Sequence, residues 1–326
     1  MKKRLYLYLL TMLAITACQR LPLYDLEQQA VYLALKLQLN LNLDLKVDVD
    51  VDVEIEKSIK MPEHNKVLFY DPTDGRLLYT EFVDSTGGII TTPAGRYQML
   101  VYNFGTEYVQ IRGEGNISTI EAFTSDITAT KSAALAACTR GSTEEPQGPI
   151  IYTPDHLLVA SELVDIPMMT TERQDVIIKA SAQTIVETYS FEVQTVVGAE
   201  YIESCEAFVT NQARSSFFGR GEVSQEPATL SFPVGIDRKK GCLYTTFNTF
   251  GKLPGESHCM LHILMRDTEG NEYHISEDIT EQFKDPDNHI VITEPVEIPE
   301  PESSQGGGIA PTVKPWDEEN HDVPIG

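Results

Sequence analysis

Cys18 is the residue whose neighbours most clearly prescribe a reaction. Lys2, Lys3 and Arg4 precede an apolar run from Leu5 to Ile15, which ends in Thr16-Ala17-Cys18. The run is far below the roughly 20 residues that cross a bilayer as a helix. A charged start, a short apolar middle and small residues before the end make a cleaved export signal. Ile15-Thr16-Ala17-Cys18 has the form of a lipobox, in which the thiol is acylated and the cysteine becomes the new N-terminus. The spacing therefore predicts a signal peptide over 1–17 and a lipid on Cys18. Each buried CH2 of an acyl chain contributes roughly 0.8 kcal/mol, so several chains on one residue anchor stably where one alone is marginal.

Other chemistry is poorly provided for. A hydrolase needs a nucleophile, a base and an orienting group, yet the sequence has no Gly-x-Ser-x-Gly, and its histidines (His64, His156, His258, His262, His274, His289 and His321) are scattered. His258 and His262 have the spacing of a zinc helix but lack its glutamate, and SHCMLHILM reads as a strand. On a strand the two would stand about 13 Å apart, too far to share an ion held at roughly 2 Å. They are expected to be ordinary surface histidines. Asp48, Asp50, Asp52 and Glu54 alternate along an extended segment, which gives a solvated charged face and not the bent loop that wraps calcium. No metal site, cofactor or catalytic residue is predicted. Cys138, Cys205, Cys242 and Cys259 are an even number in an exported chain, which permits disulfides in three connectivities and equally permits free buried thiols.

The elements that carry these residues read as strands. Every odd position from Val31 to Ile55 is apolar, and from Lys36 onward every even one is polar; this period of two is the strongest strand signal in the chain. Fully extended, the segment would reach on the order of 80 Å, several times a usual strand. Leu43 to Glu56 is therefore expected to supply the first strand, and the residues before it a spacer. A slip of two residues preserves both faces, so register is weakly fixed. Lys66–Tyr70, Arg76–Phe82 and Arg96–Phe104 follow, punctuated by Asp-Pro-Thr-Asp-Gly, Gly-Gly and Pro-Ala-Gly turns. Residues 131–149 are rich in Ala, Gly, Ser, Glu and Pro and read as a linker with a brief helical turn at Ala133–Ala137. A second series of strands follows. The expectation is an all-β chain: signal peptide 1–17, spacer 18–42, β-sandwich 43–130, linker 131–149, β-sandwich 150–298, and a flexible tail 299–326.

The net charge of −24 becomes −27 if Lys2, Lys3 and Arg4 are removed with the signal. Such a body gains nothing from counterion release, so nucleic acid is not an expected partner.

Several segments together resemble a known group. The lipobox, the alternating strand, VLFYDPTDGRLLYT, TTPAGRYQMLVYNFGTEYVQIRG and GGGIAPTVKPW are similar to the fimbrillin-like, fimbrial anchor and accessory lipoproteins of Bacteroidales. The similarity covers almost all of the chain after the signal and is best from Val67 to Gly113. It implies two tandem antiparallel, transthyretin-like sandwiches and a lipid-anchored, non-enzymatic outer-membrane protein that binds fimbrial subunits. Gln19-Arg20-Leu21-Pro22 departs from the acidic cluster that often follows the cysteine in surface-exposed members, and the Val31–Ile55 repeat is longer than expected. VKPW resembles the closing strand of fimbrillin-type modules, which makes Val313, Trp316, Val323 and Ile325 a candidate subunit-pairing strand, working by strand addition with Trp316 in a pocket. The alternative is a surface lipoprotein that captures glycans, with Phe217 and Phe218 in RSSFFGRG as candidate contacts; a loop plug over the sandwich end is the plainer reading of that pair. Asn116-Ile117-Ser118 and Asp84-Ser85-Thr86 are short candidate glycosylation motifs on loops.

Overall fold

The computed structural model describes the backbone of residues 30–39 and residues 63–139, 146–167, 176–255 and 258–301. In chain order the strands begin with β1 (Ala30–Leu39), β2 (His64–Tyr70), β3 (Leu77–Asp84), β4 (Gly87–Pro93), β5 (Gly95–Asn103), β6 (Val109–Arg112) and β7 (Glu121–Thr124). A helix, α1 (Thr128–Cys138), precedes β8 (Ile150–Tyr152), β9 (Leu158–Ile166), β10 (Val176–Thr184), β11 (Glu187–Val193) and β12 (Val196–Val197). Next come β13 (Ile202–Ala213), β14 (Ser215–Phe217), β15 (Glu222–Val223), β16 (Pro227–Pro233), β17 (Gly235–Asp237) and β18 (Cys242–Thr249). The last are β19 (Met260–Asp267), β20 (Glu272–Asp278), β21 (His289–Ile292) and β22 (Val296–Glu297). The molecule is all-β, and most of its pairings are antiparallel.

Turn chemistry sets the first hairpin. Asp71 Oδ1 accepts from the Thr73 amide at 2.8 Å and Asp74 Oδ1 from the Arg76 amide at 2.9 Å, the local bonds by which aspartate bends a chain. Gly75 sits at φ +72° with the Ile117 methyl 2.9 Å from where a Cβ would be, so both the backbone and the space require glycine. The strands that follow form a closed barrel in the order β1-β10-β9-β5-β2-β3-β4. Inside lie Val67, Phe69, Val83, Ile90, Tyr97, Met99, Val101, Ala160 and Ala180.

Tyr97 and Tyr102, at opposite parity on β5, are both buried. Tyr97 points into the barrel, where it meets Phe69 edge-on at 5.6 Å. Tyr102 lies on the outer face with Leu68, Tyr70 and Leu100, beneath a small sheet ordered β15-β14-β7-β6. Lys66 Nζ bonds both carboxylate oxygens of Glu114 there, at 2.6 and 2.7 Å, and the Tyr102 hydroxyl donates to the same carboxylate. Lys66→Ala leaves that half-buried carboxylate without its cation. We expect a loss of about 1 kcal/mol, read from the urea midpoint at unchanged slope.

A second core lies between the sheet β20-β19-β13-β16-β8 and the sheet β17-β18-β11-β21. Helix α1 packs on the outer face of the larger of these sheets, over Ile150, Phe208 and Leu264.

Two expectations are corrected. Ala30–Leu39, expected to be part of the spacer, is a strand of the barrel, and Leu43–Glu56 lies outside the described residues. The repeat looks the same after any even shift, so its pattern did not select which half would pair. The first sheet also draws on both sides of 131–149: β9 pairs with β5 from Gly95↔Ile166 to Tyr102↔Val159, and β10 joins β9. The unit 150–298 thus gives two strands to the barrel, and β1 closes what was expected to be an open sandwich. Within 131–149 the structure extends the expected helical turn to α1 and docks it, leaving 140–145 outside the described residues.

Candidate assembly surface

Strand β1 occupies a seam between β4 and β10. It runs antiparallel to β4, with Leu33 opposite Ile90 and Leu35 opposite Gly88, and parallel to β10, with Leu33 opposite Val176 and Leu37 opposite Ala180. The odd, apolar positions of β1 therefore share rows with residues that face the barrel interior, as the period-two pattern requires. Strands β3 and β4 meet only at Asp84↔Gly87, and β10 and β9 only at Gln183↔Val159 and Thr184↔Leu158. Nearly all lateral backbone pairing of β4 and β10 is thus supplied by one segment, β1. Beside the seam, Ile89 is 74% exposed and Ile177 57% exposed on the barrel exterior. By contrast, β20 ends the five-stranded sheet with Glu272, His274, Ser276 and Asp278 exposed along it, the charged edge that discourages unwanted pairing.

Cys18, Val313, Trp316, Val323 and Ile325 lie outside the described residues. Phe218 is buried edge-on against Tyr102 at 5.5 Å, while half-buried Phe217 carries the Arg220 guanidinium 4.7 Å over its ring. One ring of the pair is therefore core and the other is capped. Thr86 is exposed at the β3–β4 turn. The Asn116 carboxamide is engaged at both ends, donating to the Asp74 carbonyl at 2.9 Å and accepting from the Ser118 amide at 2.9 Å.

Cys138, Cys205, Cys242 and Cys259 are all free and buried. Burial pushes the Cys138 and Cys205 thiols up to about 12 and that of Cys259 up to about 11, so they remain protonated at neutral pH. Among the described residues no group of three or more His, Cys, Asp or Glu side chains could hold a metal ion, and no helix is long and apolar enough to cross a membrane.

His258 is exposed, with Nδ1 3.0 Å from the Asp278 carboxylate. His262 corrects the surface expectation: it is 1% exposed, with Nδ1 2.8 Å from Ser276 Oγ on the face that α1 covers. Desolvation, and then the nearby His274, lower its pKa to about 4.

Sequence reasoning passed over a cleft of about 600 Å3 beside α1, lined by Tyr108, Lys131, Tyr152, Glu206, Ser231 and Arg266 among others. These residues come from widely separated segments, and no spacing in the chain announces them.

The described residues thus form an all-β body of mostly antiparallel sheets, with four buried free thiols. A family model described as a domain of unknown function (DUF5119) matches residues 40–233, and the chain belongs to that family. It is 28% identical over 193 residues to the "Putative fimbrium anchoring subunit Fim4B" of Bacteroides ovatus, a match that spans 58% of this chain and 52% of the relative. The chain thus spans about half the length of the curated relative it matches. A crystal structure of a "putative adhesin", also from Bacteroides ovatus, superposes with a TM-score of 0.55 at 22% identity, covering 87% of this chain and 98% of the other. That superposition shows a common fold. The resemblance to Bacteroidales fimbrial anchor proteins read from VLFYDPTDGRLLYT and its neighbours agrees with these matches.

Proposed function

We propose that this chain is a non-enzymatic, lipid-anchored outer-membrane protein that serves as anchor, accessory or tip subunit of a fimbria-like polymer and joins other subunits by β-strand pairing. The observation that carries the proposal is the seam. One strand, β1, pairs with both β4 and β10 along nearly its whole length, and strand addition draws affinity from main-chain bonds and specificity from alternate side chains. The name of the curated relative points the same way. In this reading Cys18 holds the base, and the closing segment with Val313, Trp316, Val323 and Ile325 is a strand offered to a neighbour. A photoreactive residue placed at Ile89 or Ile177 on intact cells is expected to give an adduct with a second fimbrial polypeptide. Adducts with none, while the protein is abundant on the same cells, would count against subunit pairing at this place.

A further inference from the structure

The cleft beside α1 has a chemistry that strand pairing does not use. Helix α1 covers only part of the outer face of the five-stranded sheet, over Phe208, Leu264 and Ile150. Beyond it the floor carries Glu206 and Ser231, and one wall carries Lys131. Glu206 accepts from Ser231 Oγ at 2.6 Å and pairs with Lys131 Nζ at 2.6 Å. Arg266 stands at the rim with its guanidinium 2.8 Å from Glu272. The other wall is aromatic: Tyr108 and Tyr152 stack at 4.9 Å with 26° between their planes, and Tyr152 is 37% exposed.

We propose that this cleft binds a neutral saccharide. Its volume of about 600 Å3 falls within the roughly 300–1,000 Å3 usual for small-ligand sites. The Tyr108–Tyr152 pair supplies aromatic surface against which a pyranose can pack, and the ion-paired floor offers strong donors and acceptors to its hydroxyls. Each cation already has a carboxylate partner, so an anion meets no free charge. A purely apolar ligand would desolvate the floor groups without replacing their bonds to water. The inference stands apart from the fimbrial reading, and it assigns sugar binding to these residues and not to Phe217 and Phe218.

Saturation-transfer NMR on the purified full-length chain tests it, with maltotetraose, cellotetraose, xylotetraose and mannotetraose as probes. At least one is expected to bind. Tyr152→Ala is expected to weaken that binding by about tenfold or more, as loss of a central aromatic contact does. Lys131→Ala, at a half-buried position in the first turn of α1, should weaken it in the same direction, while Phe217→Ala should leave it unchanged. Thermal unfolding of each variant establishes that it is folded, and Lys131→Ala carries the test if Tyr152→Ala does not fold. No binding by any of the four, binding indifferent to the cleft variants, or binding lost in Phe217→Ala would overturn the proposal. So would occupation of the cleft only by a synthetic peptide of residues 309–326.

Discussion

Replacing Cys18 with alanine is expected to move the protein, and any fimbria it holds, from the membrane fraction into the medium. The prediction follows from the proposed lipid on Cys18, which the Ile15-Thr16-Ala17-Cys18 motif carries. The chain is also strongly acidic, with a net charge of −24, so anionic lipid headgroups repel it. A diacylated or triacylated cysteine, at roughly 0.8 kcal/mol for each buried CH2, would supply a stable attachment. Labelling with a palmitate analogue should mark the wild type and leave Cys18→Ala unmarked. Retention of Cys18→Ala on washed cells would mean that something other than lipid holds the protein.

The second large effect is one of pH. His262 lies opposite Phe208 and Ser276 in the sheet, under α1, with a pKa lowered to about 4 by desolvation and by His274. The unfolded chain takes up a proton near 6.5 and the folded chain does not until about 4, so between these values the unfolded state binds more protons. Stability contributed by neutral His262 is complete above about 6.5 and is lost as pH falls toward 4. At 1.36 kcal/mol for each unit of differential titration, the loss by pH 4.5 is about 2 kcal/mol. Urea unfolding at pH 7.5 and pH 4.5 should show this loss in the wild type beyond that of His262→Gln, which keeps a polar group beside Ser276 and does not titrate. Parallel losses in the two proteins would show that His262 is not the group responsible. The exposed His258–Asp278 pair is expected to contribute little to the difference.

Local pattern carried much of the fold. Period-two runs and Asp-Pro-Thr-Asp-Gly located β2, β3 and β5 to within a few residues, because side-chain alternation and turn chemistry are properties of the chain itself. Long-range association was less legible. β5 has apolar side chains at both parities, and the structure explains both: Tyr97 fills the barrel, and Tyr102 is covered by a sheet whose strands β6–β7 and β14–β15 come from distant segments. Nothing between residues 109 and 223 announces that pairing. His262 was misread for a related reason. Alternation put it on one face of β19, but only the docking of α1 turns that face into core. The repeat from Val31 to Ile55 gave its parity and withheld its register, since the seam reads apolar against apolar after each slip of two. The cleft was invisible because its aromatic wall and its ion-paired floor meet only after folding.

The central claim is that the β4–β10 seam is a place where an added strand pairs. Amide hydrogen exchange on the full-length chain tests it most directly, comparing the wild type with Leu33→Pro/Leu35→Pro, which removes two ladder donors and the geometry that β1 needs. The account predicts that amides of β4 and β10 lose protection while those of β2 and β5 keep it, and that an added peptide of sequence AVYLALKLQL restores the lost protection. Unchanged protection of β4 and β10 in the proline variant, or exposed strands that the peptide leaves exposed, would contradict it.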